Sequence, residues 1–339
     1  MRERREAIQE SSLRLNGQTS QQKISIIIVN YCTRKLLADC VHSIQSNSDQ
    51  QVEVIVVDNN SNDGSVEMIR AEFPHIELIA NSENVGFAKA NNQGIQKAKG
   101  RFILLLNSDT IVRPKALRVM GEFLETHPET GAVTCRLLNA DGSAQASISK
   151  RPSPMLLLFR ISGLSRLFRT DRTRRFLRKY CGFLLGSTVR SYLDPYTANG
   201  PLEVENISGA CLMLRREAIE QVGLLDESFF MYFEDMDYCM RLQDAGWKLY
   251  YVPTAEIVHL VGQSSGGRMR NYSLHSYRSL FLFYRKYYSS ITVMFIRSLV
   301  LIASLIQWMW MVVRTAFSNQ GIYRQNRDDL AQVIRFCVS

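Results

Sequence analysis

The chain reads as an α/β domain whose central sheet is mostly parallel, and three observations predict this. Short apolar runs alternate with segments of helical spacing from Ile24 onward. Each run is apolar throughout, as in a strand covered on both faces, and does not alternate apolar with polar. Each run also stops on polar residues: Asn30-Tyr31, Asp58-Asn59 and Asn107-Ser108-Asp109. Sheets of this kind are wound with right-handed crossovers, and their ligands bind beyond the carboxyl ends of the strands.

The elements follow in order. Ile24 to Tyr31 is a buried strand, and Leu36 to Ser46 has helical spacing through Leu37, Val41 and Ile44. Val52 to Asp58 is a second strand, closed by the turn-forming Asn59-Asn-Ser-Asn-Asp-Gly64. A helix over Ser65–Phe73 and a strand over Ile76–Ala80 come next, then a polar turn from Asn84 that leads into a helix ending near Lys97. Arg101 to Leu106 is a fourth strand. Pro114–Thr126 is helical, Gly131–Arg136 extended, and Asn206–Leu214 again a buried strand, followed by a short helix over Arg216–Val222.

The next stretch, Phe229 to Pro253, carries the densest chemistry. Aromatic residues lead into Glu234, Asp235 and Asp237 at the head of a helical pattern, Gly246 falls where a helix C′ residue belongs, and Trp247–Val252 reads as a strand. Carboxylates in a first turn are favoured by the helix dipole, so capping accounts for one or two of them. Three beside an aromatic run point to a site.

Composition narrows the partners. A chain of 339 residues, 46% hydrophobic, buries a complete core, and 19 Gly with 8 Pro exclude a fibrous or wholly disordered class. The net charge of +9 suits nucleotides or phospholipid head groups. No zinc-knuckle, RRM or helix-turn-helix pattern accompanies it, so no nucleic-acid partner is expected. Seven scattered cysteines without a CxxC pair read as buried reduced thiols. Residues 1–22 lack an apolar h-region and are expected to form a disordered tail and not a secretory signal.

Three further segments can carry chemistry. Asp58 offers an acceptor to a nucleoside, or else makes an Asx turn with Asn59 and Asn60. Asn84-Val-Gly86-Phe-Ala-Lys89-Ala-Asn91-Asn92 combines a glycine that permits close backbone approach with amides and a cation suited to ribose and phosphate; helix capping by Asn84 is the competing account. Asn107-Ser-Asp109 sets a hard oxygen ligand at a strand end, where a turn is the simpler alternative.

Together with Ile26–Tyr31, Val57–Ser65, Ser208-Gly-Ala210 and Phe233-Glu-Asp-Met-Asp237, these segments resemble the family 2 inverting glycosyltransferases with the GT-A fold, the rhamnosyltransferase-like branch above all. The resemblance covers about residues 24 to 265. It implies that Asn30, Tyr31 and Asp58 hold the nucleoside of a nucleotide-sugar donor, with Asn84, Gly86, Lys89, Asn92 and Asn107 around the rest of it. Asp109 matches the last acid of the family's Asp-X-Asp and would ligate a divalent cation, Mg²⁺ or Mn²⁺. Asp235 matches the general base, with Glu234 and Asp237 in support to orient the loop or bind acceptor hydroxyls, and His259 the histidine that can share the ion. Asn107 departs from the pattern by standing where the first acid belongs, which implies either a more weakly held metal or an amide that contacts the ribose. The implied reaction moves one sugar, rhamnose from dTDP-rhamnose as the best match, to a lipid-linked or polysaccharide acceptor. A sugar nucleotidyltransferase is the rival enzyme, but Val29-Asn-Tyr-Cys-Thr33 lacks its glycines; a non-catalytic nucleotide-sugar-binding protein is the other rival. No Gln-X-X-Arg-Trp motif marks a processive synthase.

Membrane contact is expected from two stretches. Arg160 to Lys179 interleaves Arg and Lys with Phe and Leu, which is either a solvated charged face or a basic surface for anionic lipid. Ile291 to Phe317 is the most hydrophobic segment, with Trp308 and Trp310 near one end, and is either a single span or an in-plane helix. The organisation expected is a tail (1–22), a GT-A domain (23–270, with a basic acceptor- or membrane-side insertion at 150–200) and a helical membrane-associating region (271–339), on the cytoplasmic side of the inner membrane. Oligomeric state is left open.

Overall fold

In the computed structural model, residues 24–48, 52–161, 200–260, 274–317 and 321–338 are described. The tail, most of the basic stretch and the Gly/Ser loop after His259 lie outside them. The first half of the chain runs β1 (Ile24–Asn30), α1 (Arg34–Asn47), β2 (Val52–Asp58), α2 (Ser65–Glu72), β3 (Glu77–Ala80), α3 (Phe87–Lys97) and β4 (Phe102–Asn107). It continues with β5 (Thr110–Val112), α4 (Ala116–Thr126), β6 (Thr130–Leu138), β7 (Ile148–Ser149) and α5 (Pro154–Ile161). Then come β8 (Leu202–Glu203), β9 (Asn206–Ile207), β10 (Cys211–Arg215), α6 (Arg216–Val222), α7 (Glu234–Asp244) and β11 (Lys248–His259). Three helices close the chain: α8 (Leu274–Tyr287), α9 (Ser290–Phe317) and α10 (Gly321–Val338).

The main sheet has the order β3-β2-β1-β4-β10-β6-β11-β5, with β8 against β11. The strands are apolar throughout because both faces are covered. Ile26 and Ile28 pack on one side of the sheet and Ile27 on the other, as do Leu104 and Leu106 against Ile103 and Leu105. β1, β2, β3 and β4 are parallel, as expected. β10 runs antiparallel to β4 and β6, while β6 and β11 are again parallel. An apolar run reads alike in either direction, so sequence periodicity carried no sign of this reversal.

The chain builds β1, β2 and β3 outward, then returns to add β4 on the other side of β1. The sheet therefore switches direction of growth between β1 and β4, and in sheets of this kind ligands bind beyond the carboxyl ends at that point. α3 covers that region at short range: a Cβ on Gly94 would stand 2.4 Å from Ile27 Cγ2. At its other end α3 begins on Gly86, with φ of +88°, where a Cβ would lie 2.6 Å from the Phe230 carbonyl oxygen. Glycine is required there for packing against the chain as well as for its backbone angle.

The strand expected over Asn206–Leu214 is broken into β9 and β10 by Ser208-Gly-Ala210. α7 ends as expected, with Gly246 N–H donating to Gln243 O at 2.9 Å and Trp247 N–H to Leu242 O at 3.0 Å, the paired bonds of a Schellman motif. Beyond β11, the last three helices form an apolar layer through Phe281, Phe283, Tyr284, Ile296, Val300 and Val333, which joins the sheet domain at Phe229 and Met240.

Candidate active site

Two clusters meet at the carboxyl edge of β1 and β4. In the first, strand register sets Asn30 beside Asp58 and Val29 beside Asn107. Asn30 Nδ2 donates to Asp58 Oδ1 at 2.8 Å and to Ser61 Oγ at 3.1 Å, and the Ser61 N–H donates to Asp58 Oδ2 at 2.8 Å. Thr33 Oγ1 donates to Asn30 Oδ1 at 2.6 Å and lies 2.9 Å from Ser108 Oγ. Asn30 and Asp58 are both buried, so Asn30 orients Asp58 from below, while Tyr31 at the strand's tip is 48% exposed. Thr33, Ser61 and Ser108 were not expected here; short hydroxyls in turns give no periodic signal.

β5 explains how residues far apart in sequence come together. It turns back from β4 and pairs antiparallel with the end of β11, Thr110 opposite His259 and Leu260 N–H donating to Asp109 O at 2.8 Å. His259 Nε2 thereby lies 3.2 Å from Asp109 Oδ1 and 3.3 Å from Asn107 Nδ2. Asp109 is almost wholly buried. His259 is thus the last residue of a strand and not a residue of the loop after it.

The second cluster holds the carboxylates. Tyr232 and Phe233, at φ of +69° and +70°, adopt the left-handed region that non-glycine residues avoid, and the chain turns there into α7. Asp235 is in the first turn. Its Oδ2 accepts the Gly209 N–H at 2.9 Å and its Oδ1 the Met236 N–H at 2.8 Å. The break between β9 and β10 frees that Gly209 N–H from strand pairing, so the interrupted strand is what anchors Asp235. The neighbouring Ala210 O accepts from Asn107 N at 3.1 Å, which links the two clusters through two adjacent residues. Phe87 N–H donates to Phe230 O at 2.7 Å and Asn59 Nδ2 to Gly86 O at 3.2 Å, so the Asn84–Gly86 turn is tied to both. Asn84 Oδ1 accepts the Gly86 N–H at 3.0 Å, an Asx turn.

Asn92 is buried and spends its amide on Leu225 and Glu227, at 2.9 to 3.0 Å, which fixes the loop ahead of Phe229. Lys89 is exposed on α3. Glu234 is buried at the head of α7. Asp237 is also fully buried, bonded to Arg241, Lys286 and Tyr287, so it braces the helix and does not face an acceptor. Among the described cysteines, Cys40, Cys135, Cys211, Cys239 and Cys337 are buried as expected, whereas Cys32, in the turn after β1, is exposed; burial pushes the Cys40 and Cys239 thiols up to about 12, out of reach of nucleophilic chemistry near neutrality.

The sheet order is that of a nucleotide-diphospho-sugar transferase domain, the GT-A fold. The Pyrobaculum calidifontis mannosyltransferase PcManGT, solved with GDP-Man and Mn²⁺, superposes with a TM-score of 0.52 at 16% identity over 94% of this chain and 87% of its own. The model of Glycosyl transferase family 2 matches residues 25–223, more than half of the chain, and the protein belongs to that family of glycosyltransferases. A second model, Glycosyl transferase family group 2, matches residues 189–319 and so extends through α7 into α9. Among characterised relatives, the N-acetylglucosaminyl-diphospho-decaprenol L-rhamnosyltransferase of Mycobacterium tuberculosis is 25% identical over 285 residues, 77% of this chain and 83% of its own. The low-salt glycan biosynthesis hexosyltransferase Agl10 of Haloferax volcanii is 26% identical over 250 residues, 71% of this chain and 68% of its own.

Proposed function

We propose that the protein is an inverting, metal-assisted glycosyltransferase that moves one sugar, rhamnose from dTDP-rhamnose, to a lipid-linked or polysaccharide acceptor. The observation that carries the reading is Asp235, whose carboxylate is anchored by the Gly209 N–H one residue from the contact with Asn107. Inversion needs a single displacement at the anomeric carbon. Asp235 takes the proton of the attacking hydroxyl, and Glu234 supports the turn that presents it. Tyr31, with Asp58 behind it, holds the nucleoside; the turn at Asn84 and Gly86, with Asn107, flanks the rest of the donor. The Mycobacterium relative supports both the sugar and the lipid-diphosphate acceptor. The test is calorimetric titration of dTDP-, UDP- and GDP-sugars with Mn²⁺; dTDP-rhamnose is expected to bind, and selective binding of another donor overturns the sugar assignment.

Asp109 and His259 fit a divalent cation. They pair a hard carboxylate oxygen with an imidazole nitrogen 3.2 Å away, at the carboxyl end of β4 where a diphosphate belongs. No cluster of three or more His, Cys, Asp or Glu that could hold a metal occurs among the described residues. The arrangement suits an ion that takes its remaining ligands from phosphate and water. When bound, such an ion stabilises the charge of the leaving diphosphate. Asp109→Ala is therefore expected to weaken binding of the nucleoside diphosphate in Mn²⁺ and to leave binding in EDTA unchanged. His259→Ala should do the same to a smaller degree. Equal wild-type binding in the two conditions refutes metal dependence.

We place the enzyme on the cytoplasmic membrane surface, with α9 lying in the plane of the bilayer. α9 is long and apolar enough to span, at a hydropathy of 1.8 over Ser290–Thr315. Yet α10 runs back along it, with Arg297 Nε donating to the Cys337 carbonyl at 2.7 Å and Met311 packed on Leu330. A span would draw the Arg324, Arg327, Asp328, Asp329 and Arg335 of α10 into hydrocarbon, which is costly. Lying flat, α9 turns its exposed stripe, including Ile291, Met294, Ile302, Ile306 and Met309, toward lipid. Ile302→Glu with Ile306→Glu, at 57% and 58% exposure, spares the fold. It should weaken co-sedimentation with anionic vesicles by roughly 100-fold. Unchanged sedimentation assigns the stripe to another contact.

A further inference from the structure

Gln145 lies in none of the segments that carry the family resemblance, yet its side chain is the nearest polar neighbour of the far side of the His259 ring. Its Oε1 stands 2.6 Å from His259 Nδ1. Its Nε2 donates to Asn139 Oδ1 at 2.9 Å and reaches the His259 carbonyl oxygen at 3.4 Å. Asn139 in turn donates Nδ2 to Ser143 Oγ at 2.9 Å. The turn between them is closed by backbone bonds, Asn139 N to Ser143 O at 2.8 Å and Gly142 N to Asn139 O at 2.9 Å, and Gln145 N–H is fixed on Leu137 O at 2.8 Å.

These bonds fix the amide's orientation. The Nε2 side of Gln145 meets two oxygens, which can only accept, so the NH₂ belongs there and the carbonyl faces the imidazole. A carbonyl cannot donate, and the proton of the neutral ring must sit on Nδ1. His259 Nε2 then carries a lone pair. It points to where Asn107 Nδ2 lies at 3.3 Å and Asp109 Oδ1 at 3.2 Å. Left to itself, the ring would gain more from the other tautomer, with Nε2–H donated to the Asp109 carboxylate. That choice would occupy both atoms with each other.

We propose that Gln145 is a positioning residue that holds His259 in the Nδ1–H tautomer, keeping the Nε2 lone pair beside Asp109 available to a divalent cation. The inference rests on the metal reading given above for its purpose, though the tautomer can be measured without it. Partners of this kind orient imidazole ligands generally, and losing one weakens metal affinity by about 10- to 100-fold. The sequence held no cue to it, because a lone glutamine in a hairpin has no spacing to betray it.

The test follows the ring nitrogens by long-range ¹H–¹⁵N spectra of the full-length, metal-free protein labelled in histidine, with the His259 signals assigned by their loss in His259→Gln. In the wild type, the neutral ring should show a protonated Nδ1 and a bare Nε2. Gln145→Leu should move the proton to Nε2 and weaken binding of Mn²⁺ alone, followed by the resonance of the free ion, about 10- to 100-fold. Gln145→Glu keeps an acceptor at Nδ1 and should restore both the tautomer and the affinity. Unlabelled circular dichroism of each variant guards against misfolding, and Gln145→Met, isosteric and non-accepting, serves if the leucine variant does not fold. An unchanged tautomer in the folded leucine or methionine variant overturns the proposal, as does failure of the glutamate variant to restore it. If the wild type binds no Mn²⁺ while the tautomer responds as expected, the metal reading fails and the positioning role of Gln145 stands.

Discussion

Replacing Asp235 by asparagine is expected to lower sugar transfer by about 10²- to 10⁴-fold, the usual worth of a positioned general base, while donor affinity stays within about twofold. The two effects separate because of where the carboxylate is held. Asp235 is tied to the chain by two N–H groups, from Gly209 at 2.9 Å and Met236 at 2.8 Å. Donor contacts are proposed for the β1–β4 edge, where Asn30, Asp58, Thr33 and Ser61 have their own bonds. Asparagine keeps the shape and one accepting oxygen, so one of the two N–H bonds is lost at about 1 kcal/mol. That cost is too small to unfold the domain and too local to displace β1. Turnover with purified acceptor, donor titration by calorimetry and the denaturation midpoint together decide the matter. Turnover within tenfold of wild type removes Asp235 from the role of base. A parallel loss of donor affinity would instead make it a donor ligand.

Much of this site was legible because its residues sit at strand ends, where an apolar run stops on a polar one. Asn30, Asp58, Asn107 and Asp109 are all of that kind, and parallel register brings the first three to one edge. The first turn of α7 was legible from three carboxylates and a closing glycine. What could not be read were pairings between distant segments of no particular composition. β5 is three residues long and has no periodicity to display, yet it brings His259 to Asp109. The break at Ser208-Gly-Ala210 was hidden inside an apolar stretch, since nothing local says that the Gly209 N–H will serve a carboxylate 26 positions later. Asn92 shows the opposite failure. Its type and place suited a ligand, but its amide is consumed by a loop 133 positions away. Burial of Cys40, Cys135, Cys211 and Cys239 followed from the apolar residues around them.

Asp237→Ala is expected to be the most destabilising single change near the site, by about 3 kcal/mol, the low end for removing one partner of a buried ion pair. The carboxylate is fully buried and does three jobs. Oδ2 accepts from Arg241 Nε at 2.9 Å, and Oδ1 accepts from Tyr287 Oη at 2.7 Å and Lys286 Nζ at 2.6 Å. Lys286 also reaches Asp226 Oδ2 at 2.8 Å. Removing Asp237 leaves the two cations without it, and the low-end figure is chosen because both side chains keep some contact with water, 23% for Arg241 and 34% for Lys286. The network is also what fastens α8 to α7. Burial draws the Lys286 ammonium downward, but its bonds to Asp226 and Asp237 outweigh that and raise it. For Asp226, burial acts upward, and the bonds from Lys286 and Ser228 bring it below the usual carboxylate range. The signs define a window. The Lys286 contribution is complete below its ordinary 10.5 and is lost as pH rises through its raised value. The Asp226 contribution is present above its ordinary 3.8 and is lost as pH falls through its lowered value. The difference in urea midpoint between the wild type and Asp226→Asn should therefore be constant across neutral pH and shrink as pH falls below 3.8. Tyr287→Phe takes away one bond and should cost about 1 kcal/mol. Because it shares Asp237 with the alanine variant, the double change should cost less than the sum of the two. Additive effects, or a cost below 1 kcal/mol for Asp237→Ala, would mean that α8 is held by the apolar packing of Phe283 and Phe281 and not by the buried carboxylate.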